Sequence, residues 1–177
     1  IAVDCPVSIY EARVMTRLGI SSSRAFSVGT VDEVTPAKSG VSLPTAVQLK
    51  VNSICNATIT QRAVDHYVFK GQKGQRVIVD CAARGIDSKL DAVVIIADAA
   101  GRDLQVERRG GTLDFTVPDY GRYVIKVHDL TFKGGPAYFY PLGLWELPIG
   151  APIIRLPTTK PVNSFSWPPQ DLPDQAA

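Results

Sequence analysis

A chain of 177 residues has room for one ordinary domain with an extension on either side. Its 45% hydrophobic share excludes wholesale disorder. Lys plus Arg number 19 against 17 Asp plus Glu, a formal charge of +2, which lacks the basic footprint that nucleic-acid binding requires. No run approaches the ~20 apolar residues of a membrane-crossing helix; the longest uninterrupted apolar stretch, residues 92–97, is strand-sized. The chain opens at Ile1 without Met or a signal-peptide core, as expected of a processed product or an excised segment. Cys5, Cys55 and Cys81 allow one disulfide plus a thiol, or three thiols, and none sits in a zinc-type spacing.

Residues 10–16 alternate with a period near two, the mark of a half-buried strand, and residues 24–28 are strand-like after a turn-rich stretch at 18–23. Two strands cannot bury a face alone, so this N-terminal pair needs a partner. Residues 29–40, with Gly, Thr, Asp, Pro, Lys and Ser, read as a linker. From residue 46 a regular series of strands is predicted at 48–55, 64–69, 76–82 and 92–98. The fourth is β-branched throughout its middle, as in a strand covered on both faces. Hairpins follow at 103–108, 112–117 and 122–128, the last two joined by Pro118-Asp119-Tyr120-Gly121, where proline presets φ and glycine closes the turn. Residues 137–145 supply a final aromatic strand. Seven of the 13 prolines lie beyond residue 147, so the end of the chain reads as an extended tail. About eight short strands without an amphipathic helix predict an all-β, jelly-roll-like β-sandwich.

Within residues 41–146 a series of short motifs recurs in order. It comprises Val64-Asp65-His66-Tyr67-Val68-Phe69, Lys73-Gly74-Gln75-Arg76-Val77, Asp87-Ser88-Lys89-Leu90-Asp91, Asp98-Ala99-Ala100-Gly101, Asp114-Phe115-Thr116-Val117-Pro118 and Gly121-Arg122-Tyr123. This series resembles the bacterial pre-peptidase C-terminal domain family. The resemblance implies a jelly-roll sandwich appended to a secreted or surface protein, serving as a spacer, a chaperone-like extension or a holder of insoluble substrate. Residues 1–28, with Tyr10-Glu11-Ala12-Arg13-Val14 and Arg24-Ala25-Phe26-Ser27-Val28, look like the closing strands of a preceding immunoglobulin-like module. Such strands would lack their native sheet partners here or find them on another chain by strand addition. Some relatives bind calcium through an acidic, Asn-rich segment before the sandwich; the matching region, Asp32-Glu33-Val34-Thr35-Pro36-Ala37, lacks those oxygens, so no metal site is expected.

The candidate ligand loop is 84–91, where Arg84, Asp87, Lys89 and Asp91 could meet a cation or sugar hydroxyls; the bland alternative is that Asp87 and Ser88 only shape the turn. Phe132, in the loop 129–136, is the aromatic expected to be exposed. His66 and His128 are the chain's two histidines, and both neighbour an Asp; adjacent strand residues face opposite ways, so neither pair forms a dyad. No catalytic motif is present and no cofactor is implied. The expectation is therefore a non-catalytic structural and interaction module of a larger bacterial secreted or envelope protein, outside the cytoplasm. Tyr10, Val14, Phe26, Phe165 and Trp167 are its expected contacts with partner subunits or neighbouring domains. The alternative is a carbohydrate-binding module for an extracellular polysaccharide, using the 84–91 and 129–136 loops.

Overall fold

The computed structural model describes residues 4–29, 31–37, 40–83, 86–108 and 112–153. Arg84, Arg109, Gly110, Gly111, Phe165 and Trp167 lie outside the described residues. The strands are β1 (Ser8–Ala12), β2 (Met15–Thr16), β3 (Gly19–Ile20), β4 (Arg24–Val28), β5 (Asp32–Val34), β6 (Val47–Gln48), β7 (Ser53–Thr58), β8 (Asp65–Gly71), β9 (Arg76–Cys81), β10 (Ala92–Ala97), β11 (Asp103–Glu107), β12 (Thr112–Thr116), β13 (Gly121–Asp129) and β14 (Phe139–Glu146). A single 3-10 turn, Leu43–Thr45, precedes β6.

Two five-stranded sheets make the body. Sheet 1 has the order β11-β10-β13-β8-β6 and sheet 2 the order β12-β9-β14-β7-β5. The eight long strands β7–β14 divide four to each sheet, β8, β10, β11 and β13 in sheet 1 and β7, β9, β12 and β14 in sheet 2, with antiparallel neighbours throughout. The short strands β5 and β6 lie parallel to β7 and β8 at the two edges.

Strand periodicity accounts for the core. Tyr67 and Phe69 of β8, Tyr123, Ile125 and Val127 of β13, and Val94 and Ile96 of β10 point inward from sheet 1. Val77, Val79, Leu142 and Leu144 meet them from sheet 2. Sheet 1 also buries part of its outer face: Val68, Ala97 and Val124 pack under Ala46, which the 3-10 turn delivers. Gly40 fits against β8 because a Cβ there would lie 2.8 Å from the His66 carbonyl, and the His66 N–H donates to the Gly40 carbonyl at 2.6 Å. This double burial explains why β8, β10 and β13 read as nearly continuous apolar runs.

Three predicted elements differ. The strand expected over 10–16 is broken at Arg13 and Val14, where the Val14 N–H turns to the Ser21 hydroxyl at 2.9 Å. The segment 29–40, read as linker, contains β5. The strand expected over 48–55 is two strands in different sheets, because Asn52 adopts φ +61 between them and its side chain accepts from the Glu146 N–H at 3.0 Å. Asn is among the residues that visit this left-handed region routinely.

Cys55 and Cys81 are buried thiols that flank Leu142 from either side of β14 in the same row. Two strand spacings, about 9.6 Å, separate them, beyond the ~7 Å Cα separation a disulfide tolerates. The sandwich is held by its apolar core without a bridge between these two.

Candidate functional site

Residues 8–28 form one long hairpin, an arm whose strands pair with neither of the two five-stranded sheets. Its stem is the β1–β4 pair, in register from Ser8 opposite Val28 to Ala12 opposite Arg24. Its tip is the β2–β3 pair, Met15 opposite Ile20 and Thr16 opposite Gly19. Gly19, at φ +135, closes the tip turn, and the Thr16 hydroxyl accepts from the Leu18 N–H at 3.2 Å. In the stem, the Tyr10 and Phe26 rings stack across the strands with centroids 5.7 Å apart. A two-stranded ribbon has no second layer, so the tip side chains meet solvent: Val14 is 65% exposed, Met15 80%, Leu18 100% and Ile20 65%. At the end of the stem nearest the tip, where it pairs with Ala12, Arg24 Nη1 meets Asp87 Oδ2 at 3.2 Å. Both side chains are largely in solvent, so this pair stabilises the docking of the arm by roughly 0–1 kcal/mol.

Asp87 brings in the loop beside the arm. It sits at φ +62, a left-handed position that Asp tolerates. Loop 86–91 is stitched to loop 129–137: the Lys89 N–H donates to the Ala137 carbonyl at 2.8 Å, the Leu130 N–H to the Asp91 carbonyl at 2.8 Å, and the Asp91 N–H to Asp129 Oδ2 at 3.1 Å. Asp129 is buried and organises the second loop. Its Oδ1 accepts from the Thr131 N–H (2.9 Å), the Thr131 hydroxyl (2.8 Å) and the Lys133 N–H (3.0 Å). Burial works to raise its pKa, but these donors to the charged form outweigh it and hold the carboxyl below the usual range.

This loop presents Phe132 at φ +56, with its carbonyl accepting from the Arg62 N–H at 2.9 Å. The Phe132 ring lies parallel to His128, centroids 4.5 Å apart and planes 4° apart. Gly134 lets the loop settle on residues 60–61, where a Cβ would come 2.2 Å from the Gln61 nitrogen. Phe132 is 45% exposed, but Tyr120 exceeds it at 78%. Phe132 is thus exposed as expected, and Tyr120, at the third position of the Pro118 turn, is exposed as well.

The structure therefore groups the described candidates at linked positions: Tyr10, Val14 and Phe26 on the arm, Asp87, Lys89 and Asp91 in the loop that meets the arm at Arg24, and Phe132 in the loop stitched to that one. Sequence reasoning passed over Asp129, although Asp129-Leu130-Thr131 is a recognisable Asx-turn pattern. It also passed over Asp65, which alternation places on the inward face with Tyr67 and Phe69 and which is fully buried. Of the calcium-region carboxylates, Glu33 accepts from the Asn56 side-chain amide at 2.8 Å. Among the described residues no group of three or more His, Cys, Asp or Glu is arranged to hold a metal ion, and no helix is long and apolar enough to cross a membrane.

No protein-family model and no curated protein matches the chain. Among solved structures, it is similar to the pre-peptidase C-terminal domain of a collagenase from Bacillus anthracis, at 12% identity and a TM-score of 0.45 over 56% of this chain and 93% of that one. It is also similar to a periplasmic inhibitor of g-type lysozyme from Aeromonas hydrophila, at 15% identity and a TM-score of 0.43 over 64% of this chain and 94% of that one. A mutant of the corresponding Escherichia coli inhibitor matches at 16% identity and a TM-score of 0.39, over 58% of this chain and 97% of that one. The fold stands on the strand order of this chain itself: an all-β sandwich of two sheets with an N-terminal strand pair.

Proposed function

We propose that this chain is a non-catalytic interaction module of a larger extracytoplasmic bacterial protein, with the sandwich as a rigid body and the hairpin arm as its contact with a partner subunit or neighbouring domain. The observation that carries this reading is the tip of the arm, where Val14, Met15, Leu18 and Ile20 are all more than 60% exposed. An isolated hairpin is marginally stable at best, so a sheet that accepts its strands supplies both burial and hydrogen bonds. The mode of contact is strand addition along β1 or β4, with the Tyr10–Phe26 stack fixing the face presented. The extracytoplasmic placement rests on the family resemblance of residues 41–146.

The test is a pull-down from the source's envelope extract with the native chain and with a Val14→Asp, Leu18→Asp, Ile20→Asp variant. The substituted side chains are exposed, so the variant keeps the melting temperature of the sandwich. Expected is one stoichiometric protein partner whose affinity falls at least about tenfold, 1.4 kcal/mol, in the variant. Hydrogen exchange of the complex then shows new protection of amides in 8–28. Recovery of polysaccharide alone, or of a partner equally held by the variant, overturns the proposal.

A further inference from the structure

We propose that the outer face of sheet 2, along β14, binds a neutral oligosaccharide chain. Because Tyr140, Leu142 and Leu144 fill the core, Phe139, Pro141, Gly143 and Trp145 face outward. Gly143 has no side chain of its own, and the Trp145 indole lies over it: a Cβ at Gly143 would come 2.7 Å from Trp145 Nε1 and 2.8 Å from Cε2 and Cζ2. The result is an apolar strip of Phe139, Pro141 and indole, with Pro141 and Trp145 half-buried. From Phe139 to Gly143 it runs about 14 Å along the strand, roughly two to three sugar rings. Phe139 is 36% exposed.

Hydrogen-bonding groups flank the strip. Pro141 pairs with Asn56 and Phe139 with Thr58 on β7, while Gly143 pairs with Asp80 on β9. The Asn56 amide is fixed by its 2.8 Å bond to Glu33, and Asp80 accepts from the Thr112 hydroxyl at 2.8 Å. At the Phe139 end the strip opens into a groove of about 350 Å³ between Thr35-Pro36 and Asn56–Thr58, formed where the chain leaves β5 and moves away from β7. An apolar floor with oriented amide, carboxylate and hydroxyl groups at its margins matches a pyranose, which has an apolar C–H face and a rim of hydroxyls.

Charge selects a neutral ligand. Among the outward positions of the described strands of sheet 2, Glu33, Asp80 and Asp114 are acidic and Arg76 is the one cation. Arg76 is committed: it donates to Asp114 at 2.9 and 2.7 Å and to the carbonyls of Pro148 and Ala151 at 3.0 and 2.7 Å. An anionic chain would meet carboxylates without a cation to offset them.

Isothermal titration of the full chain with cellohexaose, N-acetylated chitohexaose and, as anionic control, oligogalacturonate tests this. Expected is saturable binding of at least one neutral probe, weakened at least tenfold in both Phe139→Ala and Asn56→Ala, whose melting temperatures stay within a few degrees of the native chain. Absence of binding by both neutral probes, equal binding of the anionic control, or native affinity in both variants overturns the proposal. None of these residues lies in the arm, so failure here leaves the interaction-module reading untouched, and failure of the arm variant leaves this one.

Discussion

Tyr140 in sheet 2 donates its phenolic hydrogen to Asp65 Oδ2 in sheet 1 at 2.7 Å, tying the two layers by a polar bond inside an otherwise apolar core. With that hydrogen committed, the Tyr67 hydroxyl is the donor to Tyr140 at 2.8 Å, so the three side chains form one line. Asp65 Oδ1, equally buried, has no partner. Burial pushes the Asp65 pKa up, and the Tyr140 bond and nearby His66 offset this in part. Burial likewise raises both tyrosines, which stay protonated. A buried carboxyl with one unsatisfied oxygen is stable when neutral.

The pH dependence follows from that direction. A carboxyl whose folded pKa exceeds its unfolded value of about 3.9 stabilises the fold fully below that pH, and the contribution is lost as pH rises through the folded value. The Asp65→Asn variant removes this titration. Urea unfolding at a series of pH values should show the native chain losing stability relative to Asp65→Asn from about pH 4 upward. Taking the difference cancels Asp98, Asp114 and Asp129, whose lowered values act in the opposite sense. A pH-independent difference would contradict a raised Asp65.

Asp129 gives the reverse sign. Its folded pKa lies below the usual value, so its contribution is present above the unfolded pKa and disappears as pH falls through the folded one. Asp129→Ala strands the donors of Asp91, Thr131 and Lys133 and should cost about 3 kcal/mol at neutral pH. Amide exchange at residues 130–133 should rise in parallel. Unchanged exchange there would show that the loop holds its shape without the carboxylate.

Cys55 and Cys81 should remain reduced. Burial raises both thiol pKa values, so little thiolate is available for exchange or oxidation. A colorimetric thiol reagent should leave both unmodified in the native chain and label both in denaturant, with no disulfide joining them in peptide maps. A native Cys55–Cys81 bridge would contradict the strand register.

Two glycines without positive φ separate backbone from side-chain crowding. Gly134→Ala drives a Cβ into backbone atoms, 2.2 Å from the Gln61 nitrogen and 2.4 Å from the Thr60 carbonyl carbon. It should cost at least about 1–3 kcal/mol. For Gly143→Ala the three nearest atoms all belong to the Trp145 ring, which can swing away, so its cost is smaller and its signature is a shift in indole fluorescence. Equal losses would mean that the indole is as fixed as the backbone.

The all-β class, the position of most long strands and the inward alternation of residues such as Tyr123, Ile125 and Val127 were legible in the order of amino acids alone. These properties are local: a period of two and turn residues such as Pro118 and Gly121 act within a few residues of themselves. The tertiary structure decided what pairs with what. It split 48–55 at Asn52, recruited 32–34 into sheet 2, aimed Tyr140 at Asp65, and set Arg24 of the arm beside Asp87. None of this was legible from spacing, because partners 63 to 75 residues apart meet only after the sheets have stacked. Nor does spacing distinguish the exposed apolar tip at Met15 and Leu18 from a core strand, since hydrophobic alternation records a face suited to burial and not the molecule that buries it.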